Sequence, residues 1–304
     1  FVAEQLHRYG TPSFRFESAM TAVARSLGVQ GSFLYSPTSF IASIVEDGNE
    51  TTYLRRVDAE DVDIHRLLGF DRTLEELASG KISLEVAHAR MSDIASAKPL
   101  YGDGLNGLAG AVVCGSVAAI LGGGYCDVLT AFLLGMLVTL VSWVAKNWAR
   151  DSAGWITPLC GFVAASSTIG VAHLLPIDYR LTTLAVLILP IPGLSLTIAL
   201  TELAVGHLAS GSARFAGAAT QLLTLAFGVA IAWQLAHPEM TDFVAVSIPS
   251  WCQWLALCLG PSALGVIFRS PVNFWPAIAA TSIAGAATSR IASPILGMEL
   301  GAFL

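Results

Sequence analysis

Charge is what this sequence has least of. Asp, Glu, Lys and Arg make up 12% of the 304 residues, about half of the quarter usual in soluble domains. The few charges carry a net of −6 and form no basic stripe, which excludes the electrostatic footprint of a nucleic-acid binder. Cysteine is also sparse. Cys114, Cys126, Cys160, Cys252 and Cys258 lie in or beside apolar runs without metal-ligand spacing, so they read as small buried hydrophobes, and neither a metal nor a cofactor is implied. No nucleophile elbow, P-loop or zincin helix occurs, so no catalytic residue is assigned and an ATP-driven pump has no engine here. The chain opens on Phe1 with no signal-peptide pattern of basic, apolar and small residues, and is expected to start inside a longer gene product.

What is abundant is apolar surface. Hydrophobic residues make up 54% of the chain and its mean hydropathy is +0.66. The distribution is uneven: residues 1–100 hold most of the charges, whereas the sequence from Asp103 onward reads as long apolar runs with isolated charges. Two environments follow, water first and lipid second. The fold class expected is a polytopic α-helical membrane protein with a small N-terminal α+β soluble domain. Its divisions are an N-terminal domain over 1–100, a first five-helix transmembrane repeat over 101–237, and the start of a second repeat over 250–304.

In the first hundred residues, Leu6, Tyr9, Phe16, Met20, Val23, Ala24 and Leu27 recur at helical spacing until Gly28 supplies a stop. Ser32–Val45 and Thr51–Val57 flank the turn signal Glu46-Asp47-Gly48-Asn49-Glu50 and predict a β-hairpin. Helices are predicted over Asp61–Leu68 and Leu84–Ser96, with a shorter one over Thr73–Ala78. The sequon Asn49-Glu50-Thr51 can accept a glycan only in a secretory lumen.

A span of the bilayer core needs about 20 apolar residues. Seven stretches qualify: Leu105–Gly122, Val128–Ala145, Trp155–Leu175, Leu181–Val205, Phe215–Ala236, Trp251–Phe268 and Phe274–Ser289. An eighth begins near Ile291. Trp143, Trp148, Trp155, Trp233, Trp251 and Trp254 fall near the ends of these stretches, as interfacial anchors do. With the soluble domain in the cytosol, the inner side receives Lys98, Lys146, Arg150, Arg214 and Arg269, and the outer side only Arg180 and Arg290. The loop 237–249 has no Lys or Arg at all. Small residues, among them Gly107, Gly110, Gly115, Gly122–Gly124, Gly211, Gly217 and Gly285, permit close helix packing in lipid.

One stretch is interrupted. Leu187-Ile188-Leu189-Pro190-Ile191-Pro192-Gly193 places two prolines and a glycine inside an apolar run, and each proline removes a backbone donor. Such a break reads either as a simple kink or as the broken helix with which transporters aim helix ends and carbonyls at a substrate. Ser195, Thr197 and Glu202 follow it, then Arg214. An intramembrane carboxylate is costly unless paired, protonated or wetted, which makes Glu202 a functional candidate with Arg214 as its partner across the turn. His173, Asp178 and Arg180 cluster at the other end of the run as candidate gating or coupling groups. Gln221, Gln234 and Gln253 either line a polar path or bond neighbouring helices.

The order of these motifs resembles the threonine/serine exporter family. Its N-terminal pattern appears as Tyr9-Gly10-Thr11-Pro12-Ser13-Phe14-Arg15-Phe16-Glu17 with Ser26-Leu27-Gly28, and its Pro-Gly break with acidic, Gly and Arg residues as Pro192-Gly193, Glu202, Gly211 and Arg214. Gly31-Ser32-Phe33-Leu34-Tyr35-Ser36-Pro37, and Glu at 202 where bacterial relatives commonly carry Asp, lean toward the fungal branch that includes pheromone-regulated membrane proteins. The resemblance implies a cytosolic N-terminal domain, ten membrane helices, and a second half whose own Pro-Gly break lies beyond Leu304. It implies a non-enzymatic secondary exporter of small polar metabolites, threonine or serine, coupled to a proton gradient. Pro190, Pro192, Gly193, Ser195, Thr197, Glu202 and Arg214 would bind substrate, Glu202, His173, Asp178 and Arg180 would couple or gate, and Gly10, Arg15 and Glu17 would form the soluble-domain motif. A dicarboxylate exporter of the succinate type is one alternative, and a membrane-anchored interaction or sensor protein is the other. The partners are a small molecule and the bilayer, with a homo-oligomer open and nucleic acid excluded.

Overall fold

The structure, a computed structural model, describes residues 1–46, 48–57, 62–148, 153–236 and 248–296. It divides into two compact units, Phe1–Leu100 with Pro192–Thr220, and Tyr101–Ile191 with the residues from Gln221 onward.

In the first unit, the helical pattern that runs from Phe1 to Leu27 is cut in two. Helix α1 (Val2–Arg8) ends at Gly10, whose φ is +82°, and α2 (Ser13–Ser26) starts after Pro12. Periodicity alone does not register this break, because the apolar spacing continues through it. A Cβ on Gly10 would also come within 2.9 Å of Val62 Cγ2. The extended region folds as three strands, β1 (Gln30–Ser36), β2 (Ser39–Glu46) and β3 (Asn49–Arg56), in the antiparallel order β1-β2-β3. Pro37-Thr38 turns the chain between the first two, where the sequence reads as a single run. Helix α3 (Ile64–Ala78) is continuous where two shorter pieces are predicted. The Asp63 carboxylate caps it by accepting from the Arg66 N–H at 3.0 Å, and Asp61 lies outside the described residues. Helix α4 (Leu84–Ser96) completes a core centred on Leu6, Phe16, Phe70 and Met91, all fully buried.

The second unit contains α5 (Asp103–Ile120), α6 (Tyr125–Trp148), α7 (Ala153–Ala172), α8 (Tyr179–Leu187), α11 (Ser250–Ile267) and α12 (Trp275–Leu296). Between α8 and α11 in the chain come α9 (Gly193–Ala204), in the first unit, and α10 (Leu208–Ala236), which is shared. Five described helices are long and apolar enough to cross a membrane: Asp103–Ile120, Tyr125–Ala145, Gly154–Ala172, Leu208–Ala236 and Ser250–Ile267. The protein is multi-pass, with a small three-stranded sheet near its N-terminus.

Among the described residues five helices are long and apolar enough to span where seven stretches are predicted, for two local reasons. Hydropathy is blind to the prolines that divide Leu181–Val205 into the nine-residue α8 and the twelve-residue α9. The segment near Ile291 begins no new helix, because α12 runs unbroken to Leu296, and Ser, Thr and Arg290 dilute its apolar residues. Arg290 donates to Gln253 Oε1 at 2.8 Å and lies over the Trp254 ring, which fastens α12 to the start of α11.

Backbones meet most closely between α7 and the end of α10. A Cβ on Gly161 would run into the Leu225 carbonyl, and one on Gly228 into the Pro158 carbonyl. By contrast, Gly217, on the same long helix, has nothing within 4 Å of its Cβ position. Gly228→Val should therefore lower stability by about 1–3 kcal/mol or more, since a backbone carbonyl cannot yield as a side chain can. Gly217→Val should leave the melting midpoint of the detergent-solubilised protein close to wild type, and a thermal melt of the two variants reads the difference.

Candidate functional site

The site begins with a helix that the sequence stops at both ends. Pro192 is the N-cap of α9, and the Pro190 carbonyl freed by the break accepts from the Gln221 side chain at 3.0 Å. A neighbouring side chain thus satisfies the carbonyl that the break frees. At the other end Gly206 adopts φ +90°. Its N–H bonds the Leu203 carbonyl at 3.2 Å and the His207 N–H bonds the Glu202 carbonyl at 2.8 Å, the pair of bonds of a Schellman motif. The chain reverses there into α10, and Gly211 lets the two helices close: a Cβ on it would meet Leu203 Cγ at 2.8 Å.

That reversal brings Arg214 back onto Glu202. Nε of Arg214 donates to Oε2 at 3.3 Å and Nη2 donates to Oε1 at 3.4 Å, a two-pronged contact of the kind a guanidinium fork makes with a carboxylate. Glu202 is completely buried. Its Oε1 also accepts from the backbone N–H of Ser13 at 2.8 Å. Ser13 is the first residue of α2, so the carboxylate caps one of that helix's orphan donors and meets the positive end of its dipole. Arg214 Nη2 donates in turn to the Tyr35 hydroxyl at 3.4 Å. The buried hydroxyls of Ser13 and Thr11 have no partner among the described residues.

Glu17, from the N-terminal motif, accepts from the Tyr35 N–H at 3.2 Å with Oε1, and its Oε2 lies 3.5 Å from His207 Nδ1 in the α9–α10 turn. A surface cleft of about 420 Å³ opens beside them, lined also by Thr21 and Arg25. Arg15 points elsewhere and pairs with Asp71 on α3 at the surface. Gly10 is a backbone position that permits the α1–α2 turn. Pro192 and Gly193 start α9 whereas Glu202 sits in its last turn, about 14 Å further along the axis. Ser195 is half-buried, and the exposed Thr197 donates its hydroxyl to the Gly193 carbonyl of its own helix at 3.1 Å.

Pro190, His173, Asp178 and Arg180 belong to the second unit. Asp178 is the N-cap of α8, its Oδ1 accepting from the N–H groups of Arg180 at 2.9 Å and Leu181 at 3.2 Å. The Arg180 guanidinium lies over the Tyr179 ring and donates to its hydroxyl, and His173 is exposed near the end of α7.

Sequence reasoning missed Asp127. Its carboxylate is fully buried and accepts from the N–H groups of Gly124 and Asp178 and from the Thr182 hydroxyl, at 2.8, 2.8 and 2.9 Å. The available signal was its position: three residues after Gly124, it supplies the backward half of a capping box for α6 while tying that helix to the start of α8. Among the described residues no three His, Cys, Asp or Glu side chains converge as a metal site would need.

A family model described as "Putative threonine/serine exporter" matches residues 1–236, the stretch that contains both ends of the Glu202 site. The chain belongs to the threonine/serine exporter family. It is similar to the pheromone-regulated membrane protein 10 of Kluyveromyces lactis, with 23% identity over 93% of this chain and 31% of that protein, and to that of Pichia sorbitophila, with 22% identity over 76% and 24%. An uncharacterized protein of Schizosaccharomyces pombe is 27% identical over 45% of this chain and 17% of its own length. The chain thus spans less than a third of the length of these curated relatives. No solved structure matches it.

Burial raises the Tyr35 hydroxyl above its ordinary pKa of 10.0, against the opposing pull of the Arg214 charge beside it. A group whose folded pKa is raised contributes stability that is complete below the unfolded value and is lost as pH climbs through the folded one. The difference in melting midpoint between wild type and Tyr35→Phe should therefore hold constant up to about pH 10, then move against wild type as the solution becomes more alkaline.

Proposed function

We propose that this chain exports small zwitterionic metabolites, threonine and serine, and that the Glu202–Arg214 pair is what the substrate engages. The observation that carries this reading is one buried carboxylate bound by one guanidinium, with hydroxyls of Thr11 and Ser13 on the adjoining segment that have no partner among the described residues. An α-amino acid offers the complement of each: its ammonium suits Glu202 and its carboxylate suits Arg214. Removing one partner of a buried ion pair costs about 3–5 kcal/mol, because the other charge is left uncompensated. A zwitterion that replaces both partners together avoids that penalty. A dicarboxylate brings two negative charges to a single cation and repels Glu202, which argues against the succinate-type alternative. A proton on Glu202 competes with the substrate ammonium, and this gives a route for coupling efflux to a pH gradient.

A second reading has its own observation. Ser13 and Tyr35 close the pair from the N-terminal hundred residues, so the same contacts suit a latch in a membrane-anchored interaction protein. Efflux of labelled serine, threonine and succinate from vesicles separates the two readings. The exporter predicts serine and threonine efflux that falls at least tenfold and loses its pH coupling in Glu202→Gln, with the variant still eluting as folded protein. Undiminished pH-coupled efflux in the variant would overturn the assigned role, and a wild type that moves none of the three substrates favours the latch.

We further infer that the N-terminal domain is cytosolic, on the five-against-two bias of Lys and Arg. Asn49 is exposed at the start of β3, within a native sequon. Glu239→Asn would create a second sequon with Thr241, in the loop that carries no Lys or Arg. Expression in microsomes should add an endoglycosidase-sensitive glycan at position 239 and none at Asn49. The opposite pattern would invert the topology.

A further inference from the structure

The sheet of the first unit ends in a strand whose whole length is exposed. All eight residues of β3 are exposed, Leu54 by 70% and Tyr53 by 54%, and among the described residues β2 is its only neighbour in the sheet. Folded proteins blunt such an edge with a proline, a bulge, a very short strand or charged side chains. β3 runs eight residues without a proline, and its charges, Glu50, Arg55 and Arg56, are of both signs.

We propose that β3 pairs with β3 of a second copy of this chain, antiparallel about a two-fold axis through Tyr53, so that two three-stranded sheets become one of six. Backbone parity sets which registers are open. The Val57 N–H bonds the Thr38 carbonyl at 3.0 Å, in step with the β2–β3 register, so the odd-numbered residues of β3 direct their N–H and C=O groups toward β2. Glu50, Thr52, Leu54 and Arg56 therefore direct theirs to the free edge. Bonded pairs across a new interface must match even positions with even positions.

Charge then selects among those registers. Centring on Tyr53 sets Glu50 opposite Arg56 of the second copy, Thr52 opposite Leu54, and Tyr53 opposite itself at the close spacing of a non-bonded pair. Centring on Thr52 would set Glu50 against Leu54, and centring on Leu54 would leave Glu50 unmatched. A parallel arrangement would align Arg55 and Arg56 with their own copies. The Ser43 hydroxyl donates to Glu50 Oε1 on the same side of the sheet. Arg55 and Arg56 make no ion pair among the described residues. A patch that matches itself in this way is what a closed two-fold contact requires, and the pairing stands or falls independently of the transport reading.

Oxidative cross-linking of the full chain in native membranes tests it. Tyr53→Cys should give a disulfide-linked dimer on a non-reducing gel, since symmetric Cys residues at the axis fall within disulfide reach. Wild type, with its five native cysteines, and Leu54→Cys, which faces Thr52 in this register, should give little. Adding Glu50→Arg to Tyr53→Cys should cut the dimer at least fivefold, and adding Arg56→Glu as well should restore it. A folded Tyr53→Cys protein that stays monomeric would overturn the pairing, as would equal cross-linking at 53 and 54 or indifference to the charge changes. Amide exchange on the wild type reads the same contact without mutation. The Thr52 and Leu54 amides should exchange at least tenfold more slowly in membranes than in dilute detergent, and equal rates in the two would also count against it.

Discussion

A carboxylate with no exposed surface has to be neutralised by the protein around it, and in the first unit that requirement draws together α2, β1, α9 and α10. Glu202 has no access to water, so its charge must be met by fixed donors. Two come from Arg214, twelve residues on, and one from the backbone of Ser13, 189 residues back. Neither source suffices alone. A single backbone N–H leaves a net buried charge, and a guanidinium alone leaves a carboxylate lone pair pointing at the first turn of α2 with nothing to accept. The arrangement fixes where α2 begins relative to α9, and so where Tyr35 and Glu17 fall.

Turn chemistry serves the same end. Gly206 at φ +90° ends α9 one residue after its C-cap, so that α10 can fold back alongside. Gly211 removes the side chain that would otherwise hold the two helices apart. On the N-terminal side, Gly10 and Pro12 end α1 and restart the chain as α2, which aims the Ser13 N–H outward from a helix start. A continuous helix through this region would have bonded that N–H internally, and Glu202 would have lost its third donor.

How much of this was legible in the sequence depends on the range of the interaction that produces it. Pro190, Pro192 and Gly193 announce the break because their effect on the backbone is local. Glu202 and Arg214 stand out because charge is rare in apolar runs, and their pairing follows from a short turn. Ser13 and Tyr35 carry no such mark: a backbone N–H has no side-chain signature, and a buried tyrosine in a strand looks like ordinary core. Asp127 was passed over for a related reason. An acid in the first turn of a helix is commonplace, and only the fold reveals that α8 starts against it. The stretch Leu181–Val205 was read as one helix because hydropathy averages over a proline, and the single extended run missed the turn at Pro37 in the same manner. Strand β3 reads in sequence as one arm of a hairpin, and nothing local tells that its far edge is left open.

The Glu202–Arg214 contact also bears on how a transporter built this way would operate. If a zwitterion is to replace Arg214 and Glu202 as each other's partner, the Ser13 N–H must either stay bonded to Oε1 or be released. Staying is electrostatically favourable, because a carboxylate can accept from a backbone donor and an ammonium together without competition for the same lone pair. Release exposes a helix N-terminus that itself prefers an anion, and the nearest anion then available is the carboxylate of the substrate. Either way α2 contributes to the energetics of the site from outside the membrane-spanning helices. Exporter and latch are therefore less opposed than they first look. The contact that would lock an anchored protein is also one that could stabilise a loaded carrier, and the two differ only in whether Arg214 ever exchanges its partner.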